Sequence, residues 1–362
     1  MKFVYSILVA SLLLFAGCKQ DLQVTVTHYV DTPVVYGLLN LNETYPAGPN
    51  AHYIRIQKGY LLKGNAYLAT GIEDSIYYPN NLTVQLNSAD GYHYYNLTRI
   101  DGATVGLNKD TGIFANVPNY LYTFTGNLNI DSTTNYNLLI TRNDTSVKNG
   151  VTVITIDTVA TSTTSLVNGL AIFYPSNNGT STISFSNVPD QEATVSWGVG
   201  NNSGVYDLTV RFFYKEFLAS TNTLTKDSFI DIPVFSSYTP ATVSNGTATY
   251  NLAASVITNY LANNLANNNL LYREFVSMQF TIGAGGTTLA SYFNQQQSQS
   301  GLTSSNALPP FTNITGGVGL LSSREYQSVS NIGLSNMGLD SLACAPGASF
   351  LNFKNSSGNV CN

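Results

Sequence analysis

The chain has 362 residues and a formal net charge of −5, and only 10 % of its residues are charged. Typical soluble domains carry roughly a quarter; here Asn, Ser, Thr, Gly and Tyr fill the polar surface, which suits an exported β-rich protein better than a cytosolic enzyme. No basic block interrupts the acidic balance, so nothing gathers a phosphate backbone and nucleic-acid binding is disfavoured.

The N-terminus reads MKFVYSILVASLLLFAGCKQD. Lys2 supplies a positive start, Phe3 to Phe15 an apolar run, and Ala16 and Gly17 the small residues ahead of Cys18. That is the grammar of a secretory signal with a cysteine at the cleavage point. The apolar run, about 13 residues, falls short of the roughly 20 that a helix needs to span a bilayer. Residues 1–17 are therefore expected to be a lipoprotein signal peptide, Cys18 the lipidated residue and 18–23 a tether. Phe15 stands where such signals usually carry Leu, so an ordinary signal peptide and a retained anchor helix are the alternatives. Lys19, Gln20 and Asp21 resemble a loose form of the charged export signal of Bacteroidota surface lipoproteins; the other reading is a solvated tether. The anchor places the protein at the outer membrane, on its surface or its periplasmic face.

From Val24 to Val30 apolar and polar residues alternate, and Val34–Leu39 follow after Pro33. Further strands are expected at 52–60, 82–86, 92–100, 120–125, 136–142 and 151–157, with Gly-, Asn- and Pro-rich turns between them. Short strands without intervening helices predict an N-terminal Ig-like β-sandwich over 24–160. Residues 158–165 (TVATSTTS) carry no large apolar side chain and read as a linker. Strands resume at 170–174, 181–185, 193–199, 206–217 and 228–235. Leu252, Val256, Ile257, Tyr260, Leu261 and Leu265 then fall at helical spacing, predicting a helix near 250–266 that lays one face on a sheet. Residues 276–282 read as a strand and 288–296 as a short helix. The expected fold class is mainly β, with two β-sandwich-like domains, the second (165–325) bearing one or two covering helices. Residues 326–362 read as a Gly-, Asn- and Ser-rich tail.

Three segments in this order, VVYGLLN at 34–40, DTGIFA at 110–115 and TNITGGVGLLSSR at 312–324, resemble an uncharacterised family of β-rich Bacteroidota outer-membrane lipoproteins often encoded beside TonB-dependent receptors. The likeness spans roughly residues 30–325. It implies an outer-membrane location, a two-part architecture and a TonB-dependent receptor as a candidate partner. It carries over no catalytic residue.

Chemistry-bearing patterns are sparse. His28, His52 and His93 have no Cys, Asp or Glu at zinc-ligand spacing, so no metal is expected. No Gly-x-Ser-x-Gly elbow occurs. The clusters Gly198–Gly204, Gly283–Gly286 and Gly316–Gly319 contain G-x-G, but none opens a helix within a βαβ unit, so they read as bends and no cofactor is expected. A glycosidase needs only a carboxylate pair, and Glu73, Asp74, Asp207, Glu216, Asp227 and Asp231 are candidates. Tyr77, Tyr78, Tyr92, Tyr94 and Tyr95 stand near expected loops and form a candidate platform for a glycan or peptide; packing in sandwich cores and rims is the plainer reading. Trp197, between Val195 and Val199, reads as core. Asp74-Ser, Asp131-Ser, Asp157-Thr and Asp340-Ser, each followed by a Thr or an apolar residue, resemble O-glycosylation sites of exported Bacteroidota proteins.

With Cys18 taken by lipid, Cys344 and Cys361 remain, and an even remainder in an oxidising compartment suggests a disulfide; two free thiols are the alternative. It would close a loop of about 17 residues and contribute up to roughly 3 kcal/mol by chain entropy. The expected function is non-enzymatic binding or scaffolding by a lipid-anchored protein, accessory to a TonB-dependent transporter. A glycan-binding lipoprotein and a hydrolase are the alternatives.

Overall fold

β-branched and aromatic residues at every second position draw most of the chain into strands. The computed structural model describes residues 32–41, 52–59, 72–110, 117–124, 133–176, 181–185, 191–299 and 311–361. The expected signal peptide, Cys18, the tether and the strand at 24–30 lie outside the described residues. Thr32–Asn362 fall in one compact unit. The fold is mainly β, as the alternation predicted.

The first half contributes β1 (Thr32–Asn40), β2 (Ile54–Gly59), β3 (Leu82–Ser88), β4 (Tyr94–Asp101), β5 (Tyr120–Thr123), β6 (Asn135–Lys148) and β7 (Val151–Ser165). A single turn, α1 (Glu73–Ile76), precedes β3. The second half contributes β8 (Asn168–Tyr174), β9 (Thr182–Ile183), β10 (Glu192–Asn201), β11 (Ser203–Leu218), β12 (Thr223–Tyr238), β13 (Val243–Ser244), β14 (Thr247–Ala253), β15 (Leu271–Gly286) and β16 (Val318–Leu334). Its helices are α2 (Ala254–Asn264), α3 (Thr287–Gln299) and α4 (Asn336–Cys344). One long sheet runs β12-β11-β15-β16-β1-β2-β5-β4-β3-β6-β7, and a second, smaller sheet runs β13-β14-β10-β8. Neighbours along this path are antiparallel except β1 and β16, which pair in parallel from Val34–Val318 to Asn40–Arg324; off the path, the short β9 pairs in parallel with the end of β16 at Gly333 and Leu334. Gly319 makes that pairing possible: its φ is +121°, and its α-carbon lies against the Val35 carbonyl with no room for a side chain.

The long sheet curls at its β7 end. Thr161 N–H donates to Thr315 O at 3.0 Å and Thr315 N–H to Thr161 O at 2.8 Å, returning β7 to the segment that enters β16. The Ser162 hydroxyl donates to Asn313 O at 2.9 Å beside them. This curled part encloses one core, built on Val35, Leu39, Ile54, Leu86, Tyr136 and Ile140. A second core lies between the smaller sheet and β11, β15 and β16, where Trp197 and Val195 meet Phe212, Phe280 and Ile282. Residues 158–165, expected as a linker, are instead the end of β7. Their alternation is real but written in small residues: Ala160, Ser162 and Thr164 are buried.

α2 matches the predicted helix, burying Ala254, Ile257 and Leu261 along one stripe, while Tyr250 to Ala253 complete β14. α3 falls where a short helix was expected. The expected tail is corrected. β16 runs on to Leu334, the Ser335 hydroxyl caps α4 by accepting from Gly338 N–H at 3.2 Å, and Leu342, Ala343, Leu351 and Phe353 join the second core. Cys344 and Cys361 stand at disulfide distance with Cα atoms 5.2 Å apart. No helix among the described residues is long and apolar enough to cross a membrane.

Candidate ligand-binding site

Strand alternation along β1 sends Val35 and Leu39 into the first core and leaves Tyr36, Leu38 and Asn40 on the opposite face. Pairing places Tyr36 between Arg55 of β2 and Leu320 of β16, Leu38 beside Ser322, and Asn40 beside Arg324. The chain after β4 closes a wall over this strip. There Asn119, whose N–H is held by the Asp101 carboxylate at 3.1 Å, donates from its side-chain amide to Leu107 O at 2.8 Å. Its amide oxygen accepts from Arg55 Nη2 at 3.1 Å, which aims the guanidinium. The resulting cavity, open to solvent on one side, measures about 400 Å³, with Arg55, Arg324, Tyr36, Tyr53, Asn108 and Asn119 as its polar lining and Leu38, Leu107, Leu121 and Leu320 as its apolar lining.

A smaller cavity of about 150 Å³ adjoins it and shares Leu38 and Arg324. It lies beneath α3, whose Leu289 and Phe293 line it together with Tyr326. Gly283 admits the Tyr326 ring, because a Cβ there would stand 2.5 Å from the ring edge. Arg324 Nη1 donates to the Tyr326 hydroxyl at 3.4 Å, and the guanidinium carbon sits 5.4 Å from the ring centroid. Arg324 thus divides the two spaces.

Among the described residues, no ion pair compensates the charge in this site. Elsewhere arginines meet carboxylates: Arg142 with Asp144 at 2.7 Å, Arg211 with Asp231 at 2.7 Å and Arg273 with Glu216 at 2.8 Å. Among the described residues, neither Arg55 nor Arg324 has a carboxylate within ion-pair distance, and both are half-buried. Their Nε atoms, with Asn40 Oδ1 and Ser322 Oγ on the same strip, are buried without a hydrogen-bond partner. Among the described residues the larger cavity has no carboxylate in its lining, and Asp207 in the smaller one accepts from Ser237 N–H at 2.8 Å. Burial and the Arg55 charge hold the Lys109 amine below its ordinary pKa. Burial, and secondarily Tyr292, raises that of the Tyr36 phenol.

Behind the strip His52 is 1 % exposed and stacked on Phe124 with ring centroids 5.0 Å apart. Its Nδ1 accepts from Asn40 N–H at 3.2 Å. Burial, with Arg324 adding repulsion, pushes its pKa down to about 4, so it is neutral at physiological pH. The site therefore offers fixed cations, amides, phenols and ring faces. Guanidiniums donate and orient but do not release protons at neutral pH.

The tyrosine platform is corrected. Tyr77 and Tyr78 are each 3 % exposed, Tyr77 standing edge-on to Tyr120 with centroids 5.1 Å apart. Tyr95 is half-buried against Phe124, 5.3 Å between centroids. Only Tyr92 and Tyr94 are exposed, at the β3–β4 turn, so the five do not form one face. Of the carboxylate candidates, Glu216, Asp227 and Asp231 are taken by Arg273, Lys215 and Arg211. Glu73 and Asp74 occupy the first turn of α1. No three His, Cys, Asp or Glu side chains gather in a metal-holding group among the described residues. The O-glycosylation candidates Asp74, Asp157 and Asp340 lie in α1, β7 and α4, and Asp131 is outside the described residues.

Arg55 and Arg324 were not among the sequence candidates. A faint signal exists: Arg55 interrupts Ile54 and Ile56 in a chain short of charge, and Arg324 closes the glycine-rich segment from Thr312. No family model matches the chain, and no curated protein matches its sequence.

Proposed function

We propose that the chain is an exported, lipid-anchored binding protein of the outer membrane that takes a small ligand on the outward strip of β1, β2 and β16. The observation that carries the binding reading is the pair of adjoining cavities with two half-buried arginines that have no carboxylate partner among the described residues. A buried cation without a counter-charge is costly unless something else supplies the charge, and a bound anion does so. The anchoring reading rests on the Cys18 signal, and the accessory role beside a TonB-dependent transporter rests on the family resemblance.

A non-enzymatic role fits the chemistry of the strip, whose charged groups bind and orient rather than shuttle protons. His52, the nearest imidazole, is buried and its Nδ1 is occupied. Two measurements test the proposal. Replacing Cys18 with Ala should move the protein from the membrane fraction to the soluble fraction; retention in the membrane would refute the lipid anchor. A thermal-shift screen of acidic and neutral saccharides and peptides on the detergent-purified chain should return at least one stabilising ligand, whose effect Arg324→Gln weakens. A screen without any stabilising ligand would refute the binding role.

A further inference from the structure

Resting on that binding role, we infer that the cavity between Arg55 and Arg324 is selective for acidic sugars, meaning a pyranose-sized ring that carries an oxyanion, and discriminates against neutral ones. The inference begins with the two guanidiniums. Each already spends one nitrogen on a neutral partner, Arg55 on the Asn119 amide and Arg324 on the Tyr326 hydroxyl. These contacts orient the groups without neutralising them. Guanidinium presents a planar fork that fits carboxylate, sulfate or phosphate oxygens with two parallel hydrogen bonds.

The remainder of the lining selects what carries the anion. About 400 Å³ holds one or two sugar rings rather than a folded surface. Tyr36 and Tyr53 offer ring faces, and the Asn108 and Asn119 amides suit hydroxyl recognition. A peptide would want strand backbone to pair with, yet β1, the centre of the floor, is hydrogen-bonded along both sides, to β2 and to β16, while β2 meets β5 at Ile54–Tyr122. Along β1 the floor consequently reads a ligand through side chains, which disfavours the strand-addition mode of peptide capture there. A neutral sugar would leave both guanidiniums buried and uncompensated, and an inorganic anion would leave the tyrosines and leucines unfilled.

Calorimetric titration of the detergent-purified full chain tests this. The probes are a uronate disaccharide, a sulfated and a phosphorylated monosaccharide, the neutral parent disaccharide, sodium sulfate and an acidic tripeptide. The expected result is binding of at least one acidic sugar at least tenfold tighter than the neutral parent and than sulfate. The three acidic arms tell which oxyanion is preferred. Arg55→Gln and Arg324→Gln should each weaken that binding about tenfold or more, whereas Arg211→Gln, on a paired arginine of β11, should leave it unchanged. Circular dichroism establishes that each variant is folded, and Arg55→Lys, which keeps the charge but loses the fork, should fall between wild type and Arg55→Gln.

Equal affinity for the acidic and neutral sugars, or arginine variants that bind like wild type, would overturn the inference while leaving a binding role standing. Tight binding of the tripeptide alone would overturn it in the same way. Failure of every probe to bind would overturn both.

Discussion

Two arginine sites in the same fold show opposite treatments of a buried cation. Arg273 of β15 is 2 % exposed and fully partnered: Nε donates to Glu216 at 2.8 Å, Nη1 to Leu351 O at 2.8 Å and Nη2 to Ala266 O at 2.9 Å. Those bonds tie the α2–β15 loop and the C-terminal segment to the sheet. Arg55 and Arg324 are less buried, yet they lack any carboxylate among the described residues and border open space. Where a guanidinium is structural, the fold supplies a complete set of acceptors. Where carboxylates are withheld around a cavity, as at Arg55 and Arg324, the proposed ligand would supply the missing charge. An arginine's partners, more than its depth, tell the two roles apart.

The contrast can be broken most severely at Arg273. Arg273→Met strands the Glu216 carboxylate and removes donors from two carbonyls, so chemical denaturation should show a loss of about 3–5 kcal/mol. A loss under about 1 kcal/mol would mean that the pair is not structural.

The next effect tests the charge behind the open site. His52 has a folded pKa of about 4, below the roughly 6.5 of an unfolded chain. The unfolded chain therefore takes up the proton first as pH falls, and stability is fully present above about pH 6.5 and is lost progressively down to about pH 4. The corresponding loss is at most about 3 kcal/mol. Denaturant midpoints across that range should decline for wild type, and His52→Leu should flatten the decline. A parallel decline in the variant would assign it to other groups.

A similar magnitude applies at the end of the chain. Cys361→Ser should reduce stability by about 2–3 kcal/mol, because the unfolded chain regains the freedom of an opened loop. Alkylation of denatured, unreduced wild type should find neither Cys344 nor Cys361 reactive.

The smallest change is expected at the open arginines. Arg55→Gln or Arg324→Gln removes a charge that no described carboxylate balances, so ligand-free stability should shift by under about 1 kcal/mol, towards stabilisation if at all. A loss approaching that of Arg273→Met would erase the distinction between the sites.

Much of the architecture was legible because period-two alternation survives wherever one strand face is wet. It failed where both faces are covered. β16 lies between β15 and β1, and its Ser322, Ser323 and Glu325 are all buried, so a polar sequence hides a central strand. Glu325 shows how this is tolerated: its carboxylate accepts from Leu170 N–H at 2.9 Å, although burial still raises its pKa. β7 was misread because Thr and Ser do the work expected of larger residues. α4 was missed because one capping serine and a short apolar stripe are easily lost in a Gly-rich tail. The tyrosine platform failed because exposure is decided by packing: Tyr78 O accepts from Arg99 at 2.9 Å and its ring turns inward. The arginine site left two faint and separate signals, since Arg55 and Arg324 stand far apart in the sequence and only the β2-β1-β16 pairing unites them.

That parallel ladder between the first described strand and the last has a kinetic meaning. A strand whose neighbour is made nearly three hundred residues later cannot complete its pairing until most of the chain has been synthesised. The curled core and the arginine strip both depend on β16, so neither can close before the C-terminal part of the chain has arrived. Until then β1 presents an unpaired edge open to wrong partners. The seam makes maturation a late, nearly all-or-none event, and a chain interrupted between β15 and β16 would have neither a finished core nor a place to hold a ligand.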